Sequence, residues 1–198
     1  MAKILVLFAH PALEKSRVHT RLIKHIPLHP EITFHDLYER YPDFHIDIEY
    51  EQQLLLQHDV FIFQHPFYWY SAPALIKQWL DLVLEHGWAY GSGGNALSGK
   101  FMLNAISCGG SLNSYQPTGK NRRKVREFLL PFHHTATLCK MDYWPPFVIH
   151  GTHNLSETDM DLYALQYEQF LLALAANRFS VEEKDQCNYL NDLIPIPT

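Results

Sequence analysis

The sequence predicts an α/β fold: a three-layer sandwich in which a five-stranded parallel sheet, in strand order 2-1-3-4-5, carries helices on both faces. Three observations predict it. Strand-like and helix-like stretches alternate five times along 198 residues, a length that suits one domain burying roughly 70% of its unfolded surface. The strand-like stretches are mostly continuous apolar runs, as strands covered on both faces must be. Right-handed crossovers with this number of units favour a doubly wound order with strand 1 inside the sheet.

Residues 4–9 form the first strand, ended by His10-Pro11. Ser16 stands at an N-cap position ahead of Val18, Leu22, Ile23 and Ile26, and Pro27 and Pro30 break that helix. Residues 31–35 alternate as a second strand. Asp47 caps a helix running through Glu51, Leu54, Leu55 and Leu56 to His58. Residues 60–64 are the third strand and residues 73–84 the helix after it. Residues 101–108 give a fourth strand, stopping at Gly109-Gly110. A helix over 122–130 follows, interrupted by Pro131, with a second short helical run to Cys139. Residues 147–149 are a short fifth strand. Tyr163, Tyr167, Phe170 and Leu174 recur at helical spacing in a last helix over 157–176. The domain is therefore expected over residues 1–176. The tail over 177–198 lacks periodicity, ends Pro195-Ile196-Pro197, and is expected to lie extended over the surface or a partner.

The helix over 73–84 has more apolar surface than one stripe. Leu75, Trp79, Leu82 and Val83 make one face, and Ile76, Leu80 and Leu84 an adjacent one. Burial on two sides follows, from a homodimer interface or from deep burial within one subunit.

Composition narrows the function. A net charge of -5 gives no electrostatic reason to bind nucleic acid. The basic cluster of Lys120, Arg122, Arg123, Lys124 and Arg126 reads as a solvated helix face. Cys108, Cys139 and Cys187 form neither a disulfide framework nor a CxxC motif, which suits a reducing cytosol. The apolar run at residues 4–8 is too short for a signal peptide, so any membrane association is expected to be peripheral. The 13 histidines show no metal-ligand pattern: His133 and His134 point apart on a helix, His25 and His29 straddle Pro27, and His150 and His153 lack a Cys or carboxylate companion. No GxSxG elbow, GxGxxG fingerprint or P-loop is present.

Three loops should meet at the carboxyl edge of the sheet, where open α/β folds bind ligands. Residues 65–72 supply Pro66, Phe67, Tyr68, Trp69 and Tyr70, four rings on a rigid loop that need something flat to cover; an isoalloxazine ring has that shape. Residues 10–19 offer backbone N–H groups at a helix start with the Ser16 hydroxyl and the Arg17 charge, an environment for a phosphate dianion, although Ser16 also reads as an ordinary N-cap. Residues 107–115 carry Ser107, Cys108, Gly109 and Gly110, whose glycines let backbone approach a flat ligand or simply make a tight turn. Tyr115 is placed to donate its hydroxyl to a substrate carbonyl. Cys108 is read as a buried spectator rather than a redox thiol.

Six segments, Ala9-His10-Pro11, Tyr41-Pro42-Asp43-Phe44, Gln64-His65-Pro66, Trp69-Tyr70-Ser71, Gly87-Trp88-Ala89-Tyr90 and Cys108-Gly109-Gly110, carry a resemblance over roughly residues 3–175. The chain resembles the flavodoxin-fold NAD(P)H:quinone oxidoreductases, most closely the ancillary oxidoreductases of the glutathione-gated Kef potassium-efflux systems. The Tyr-Pro-Asp-Phe segment with Ile46-Asp47-Ile48, and the Gly-Trp-Ala-Tyr segment, point to that branch. The resemblance implies a flavodoxin-like sandwich, a homodimer, bound FMN, NAD(P)H as hydride donor and a quinone-like acceptor. It implies that His10 and residues 16–19 (Ser16, Arg17, Val18, His19) hold phosphate and ribityl chain, and that the backbone of 67–70 and 107–110 holds the ring. It places Tyr115 near the hydride acceptor and Tyr90 in the neighbouring subunit's pocket. It further implies a cytoplasmic location, with the cytosolic domain of a transporter as a partner. FMN is expected rather than FAD, because nothing beyond the fifth strand offers an adenine site. A regulatory subunit that binds such a transporter, its redox activity incidental, is the alternative; a one-electron carrier would need a more acidic docking face. Two positions depart from the pattern. His19 replaces the usual Asn, and Asn121 replaces a histidine associated with proton transfer, leaving Tyr115 or water to deliver the proton.

Overall fold

Successive residues of the central strands go to opposite faces of one sheet, and both faces are apolar. The computed structural model describes residues 1–180, 183 and 186–195. Its parallel strands are β1 (Ile4–Phe8), β2 (Ile32–Asp36), β3 (Val60–Pro66), β4 (Phe101–Ser107), β5 (Asp142–Tyr143) and β6 (Phe147–Ile149). The order is β2-β1-β3-β4-β5, with β6 pairing further along β4. Leu5, Leu7, Phe61, Phe63 and Met102 enter one core, and Ile4, Val6, Val60, Ile62, Leu103 and Ala105 the other. That is the two-residue period of strands covered on both sides.

Helices α1 (His19–Lys24) and α7 (Glu157–Ala175) cover the second core. The first is covered by α3 (Ile48–Leu56), α4 (Ala74–Val83), α5 (Val125–Phe128) and α6 (Leu130–Leu138), with a one-turn helix α2 (Leu37–Arg40) after β2. The caps are side chains of the expected kind. Asp47 accepts from the Tyr50 N–H, and Ser156 and Asp159 form a reciprocal capping box on α7. Asp36 accepts from the Tyr38 and Glu39 N–H groups and so starts α2, an element too short to show periodicity.

A buried carboxylate ties β2, α3 and α4 together. Glu51, fully buried on α3, accepts from His35 Nε2 at 2.7 Å, from the Tyr41 hydroxyl at 2.6 Å and from Trp79 Nε1 at 2.8 Å. Tyr41 opens the Tyr-Pro-Asp-Phe segment, so this network fixes that segment against the helix that follows the aromatic loop.

Four expectations change. The fifth sheet position is shared by two short strands: β5 pairs with Phe101 and Met102, β6 with Ala105 to Ser107, and between them Pro145 and Pro146 have no N–H to continue the ladder. The helix expected over 122–130 starts at Val125, because Arg122 takes a left-handed φ of 52°; the basic cluster therefore straddles a turn and a short helix. Pro131 sits in the first turn of α6, where a missing N–H costs nothing, and so opens that helix instead of interrupting one. On α4, Leu75, Ile76, Trp79, Val83 and Leu84 are all buried within the one chain, which accounts for most of both apolar faces; Leu82 is exposed and Leu80 half-buried.

Within the 177–198 tail, residues 181, 182, 184, 185 and 196–198 lie outside the described residues, and with them most of the Pro195-Ile196-Pro197 ending. Leu190 and Ile194 are buried against the α7 core, so this part of the tail is packed rather than loosely extended. Among the described residues, no helix is long and apolar enough to cross a membrane, and no three metal-ligating side chains converge.

Candidate functional site

The carboxyl ends of β1, β3, β4 and β6 open on one edge, and the loops that follow them enclose a cleft of about 330 Å³. His10, Lys15, Ser16, Arg17 and Val18 line it from the first loop, and Pro66, Phe67 and Tyr68 from the second. Ser107 and Gly109 come from the third, and Thr152 and His153 from the loop after β6.

In the first loop, His10 Nδ1 accepts from the Ala12 N–H, and burial lowers its pKa, so the ring is neutral at physiological pH. Ser16 Oγ accepts from the His19 N–H at 3.1 Å, a capping-type bond although the N-cap position itself falls on Val18, and Ser16 also lines the cleft. Arg17 does not hold its charge in reserve. Its guanidinium is ion-paired with Glu157 at 2.6 Å and donates to the Leu155 carbonyl, which turns it toward the first turn of α7. Lys15 is the further cation on the cleft wall. His19 is fully buried behind the loop, Nε2 2.9 Å from Ser107 Oγ and its ring edge-on to His10. Burial, with His10 and His65 nearby, holds its pKa well below the ordinary value. A neutral imidazole thus bridges the first and third loops where an Asn amide was expected, and its Nδ1 is buried with no hydrogen-bond partner among the described residues.

The second loop is set from beneath by a directional chain. Tyr143 donates to Asn104 Oδ1, Asn104 Nδ2 donates to His65 Nε2 at 3.0 Å, and His65 Nδ1–H donates to the Pro66 carbonyl at 3.0 Å. An amide NH₂ can only donate, so Nε2 must be the acceptor and Nδ1 must carry the proton. Burial lowers the His65 pKa to about 4, which keeps that tautomer neutral. Beyond Pro66, residues Tyr68–Tyr70 make a 3₁₀ turn in which Trp69 (φ 51°, ψ 42°) and Tyr70 (φ 61°) are left-handed. The turn throws three rings outward, with Trp69 94% exposed. Phe67 goes the other way, buried edge-on to Tyr115 and Phe128, so it supports the shelf and is not part of its open face. Tyr70 stacks on Phe128 at 5.1 Å, and its hydroxyl donates to Asn121 Oδ1.

In the third loop the diglycine makes room for protein rings. A Cβ on Gly109 would lie 2.5 Å from His153 Nε2, and one on Gly110 would lie 2.9 Å from the Tyr115 ring. Cys108 is fully buried and burial pushes its thiol up, which keeps it protonated. Tyr115 is only 6% exposed, walled by Gly110, Phe67, Phe128 and His150, and burial raises its pKa to about 12, so it is a proton donor at neutral pH. Trp69, Tyr70, Cys108, Gly110 and Tyr115 are not among the residues lining this cleft, and neither is Tyr90. It lines a separate groove of about 300 Å³ with Ile76, Leu80, Leu84, Phe132 and Leu138, between α4 and α6.

Lys15, Thr152 and His153 are wall residues that sequence reasoning did not assign. The carboxyl-edge rule applied to the fifth strand would have found the last two, since they follow β6 by three and four residues.

Similarity to known proteins runs through the same segments. The profile of a family with a flavodoxin-like fold matches residues 2–171. The chain belongs to that family. The flavodoxin-like chain is 44% identical over 169 residues to the glutathione-regulated potassium-efflux system ancillary protein KefG of Pectobacterium carotovorum subsp. carotovorum (strain PC1), covering 85% of this chain and 92% of that protein. General stress protein 14 of Treponema denticola, solved in complex with FMN, superposes with a TM-score of 0.82 at 40% identity over 87% of this chain and 99% of that one. An NADPH-quinone reductase of P. pentosaceus superposes with a TM-score of 0.77 at 33% identity over 85% and 96%. The family profile ends at residue 171.

Proposed function

We propose that this chain is an FMN-dependent NAD(P)H:quinone oxidoreductase acting as the ancillary subunit of a glutathione-regulated potassium-efflux system. The carrying observation is that one cleft is lined both by a phosphate-type pole (Lys15, Ser16, His10) and by Tyr68, the first ring of the aromatic turn, with Ser107 on its wall held by the neutral His19 behind it. The residues fit a flavin mononucleotide on two counts. His19 Nδ1 is a buried polar atom without a partner among the described residues, and the donor set runs from cation to backbone amide to flat ring. A volume near 330 Å³ lies at the small end of ligand sites and suits a mononucleotide better than a dinucleotide.

Lys15 and the Ser16 hydroxyl hold the phosphate; the Arg17 and Val18 backbone and the His19–Ser107 pair border the ribityl chain. The backbone of residues 66–70 and 107–110 seats the ring. Bound FMN supplies a two-electron store, filled by hydride from NAD(P)H and emptied onto the acceptor. Tyr115, kept protonated by burial, donates to the acceptor carbonyl oxygen as negative charge grows there. Asn121 is engaged by Tyr70 and takes no part in that proton delivery. The likeness to NADPH-quinone reductase supports the reaction, and the likeness to KefG supports a potassium-efflux system as the partner.

The groove between α4 and α6 is the surface for a second copy, which would bring Tyr90 to the partner's site. The deciding experiment is an absorbance spectrum of the purified protein before and after NADPH, with mass identification of the released cofactor. Flavin bands that bleach with NADPH and recover with quinone, and FMN as the released species, are expected. A colourless protein that rejects flavin refutes the reading, and released FAD refutes the choice of cofactor.

A further inference from the structure

Residues 186–195 lie beyond the span shared with the family, and the site described above does not use them. They are nevertheless built into the edge of the sheet. The Val148 N–H of β6 donates to Asn191 Oδ1 at 2.7 Å, and the Leu190 N–H donates to the Pro146 carbonyl at 3.0 Å. From α7, Gln166 Nε2 donates to the carbonyls of Asn191 and Ile194, and from α5, Arg126 donates to the carbonyl of Cys187. Leu190 and Ile194 are buried in the α7 core. A strap held by an edge strand and two helices has one register only.

That register delivers a ring to the site. Tyr189 lies edge-on to His150 at 5.3 Å, and His150 lies 5.8 Å from Tyr115 on its other side. Neither ring nitrogen of His150, both buried, makes a hydrogen bond of good geometry; its one polar neighbour is the Gly110 backbone, whose carbonyl also accepts from the Gly151 N–H. An imidazole with only that weak polar contact is held mainly by packing, so its place depends largely on the two rings beside it. None of the residues lining the cofactor cleft belongs to the strap.

We propose that the strap is a working part of the site: Tyr189, through His150, positions the Tyr115 ring at the angle from which its hydroxyl meets the acceptor. The inference rests on the role given to Tyr115 above. Tyr189 and His150 are positioning residues, and their loss should affect the acceptor half-reaction while sparing cofactor binding.

The test uses the full chain with Tyr189→Ala, and Tyr189→Phe as the variant that keeps the ring; Tyr189 is half-buried at the rim of the first core, so an unchanged far-UV circular dichroism spectrum is the folding control for both. In cofactor-free protein, NMR titration should find His150 protonating near pH 4 in wild type. Opened to water in Tyr189→Ala, it should titrate at least about one unit nearer 6.5, and in Tyr189→Phe as in wild type. In the FMN-loaded protein, Tyr189→Ala should raise the quinone KM or slow reoxidation by about three- to tenfold, with flavin content and reduction by NADPH unchanged and Tyr189→Phe at wild-type values. An unchanged His150 titration overturns the strap contact. A shifted titration with unchanged reoxidation, or an equal loss in both half-reactions, overturns the positioning role. A wild type that reduces no quinone refutes the function itself and the catalytic half of this proposal; the titration separately decides the strap half.

Discussion

Replacing Glu51 by Gln removes one negative charge and one acceptor from a site that presents three donors. Whichever way the amide turns, its NH₂ must face a donor. The less costly orientation keeps Oε1 on His35 and Tyr41 and sets NH₂ against the Trp79 Nε1–H, across what was a 2.8 Å hydrogen bond. Two buried donors are then left unsatisfied, at about 1–3 kcal/mol each, and the two surviving bonds lose their charge assistance. Relief from burying a charge offsets part of this, leaving a net loss of about 3–5 kcal/mol. For a chain of this length that is a fall in melting temperature on the order of 10 °C. Urea denaturation at pH 7, followed by far-UV circular dichroism, measures it with an unchanged m-value as the control for two-state behaviour. The assignment of the clash is tested by Trp79→Phe, which removes the opposing donor. It should cost about 1–2 kcal/mol less in the Glu51→Gln background than in wild type. A loss below about 1 kcal/mol, or strict additivity of the two changes, would refute the three-donor account.

Tyr115→Phe should slow quinone turnover by about five- to thirtyfold, the loss of one neutral donor worth about 1–2 kcal/mol, while flavin reduction by NADPH stays at the wild-type rate; equal slowing of both half-reactions in stopped-flow traces would remove Tyr115 from the acceptor side. Leu80→Glu puts a charge into the groove between α4 and α6 and should convert a dimer to monomer in sedimentation velocity, with wild type dimeric at micromolar concentration; a monomeric wild type ends that proposal. Stability should depend on pH through His65. Its folded pKa of about 4 lies below the unfolded value near 6.5, so between these the unfolded chain takes up a proton that the native state refuses. Stability is therefore full above about pH 6.5 and falls as pH drops toward 4, by up to about 3 kcal/mol from this one group. Denaturation midpoints from pH 8 to 4 should show that slope, to which His19 and His150, whose pKa values burial also lowers, add; His65→Gln should remove only its own share, and an equally steep profile in the variant would refute the part given to His65.

What could be read from the residues depended on periodicity and on chain order. The unbroken apolar runs at residues 4–9 and 60–64, with alternating strands and helices, were enough for the parallel sheet and its 2-1-3-4-5 order, because burial on both faces leaves a mark at every position. Pro145-Pro146 hid the division of the fifth strand position, since two- and three-residue strands carry no period. The loops of the site were placed by the carboxyl-edge rule, but their side-chain directions were not legible. Arg17 is drawn off by Glu157 from 140 positions away, Phe67 turns under the shelf it was expected to form, and Tyr115 is boxed in by a histidine two loops distant. Each of these is a long-range partner choice, which local sequence does not encode. The surplus apolar surface of α4 was real, yet pattern alone had no means of telling a neighbouring subunit from α3 and α6.

The left-handed turn at Trp69 and Tyr70 bears on how quickly the protein can be charged with its ligand. Two consecutive non-glycine residues in that region cost about 1–2 kcal/mol each, and folding meets this through the burial of Phe67, the Tyr70–Phe128 stack and the Tyr70–Asn121 hydrogen bond. The platform stands before anything arrives. A flat molecule meeting it has no loop to wait for, so capture should follow a single exponential whose rate rises linearly with concentration, without the plateau that a slow ordering step imposes. Trp69, almost wholly in solvent while Trp79 and Trp144 are buried, would report that encounter by the quenching of its own fluorescence.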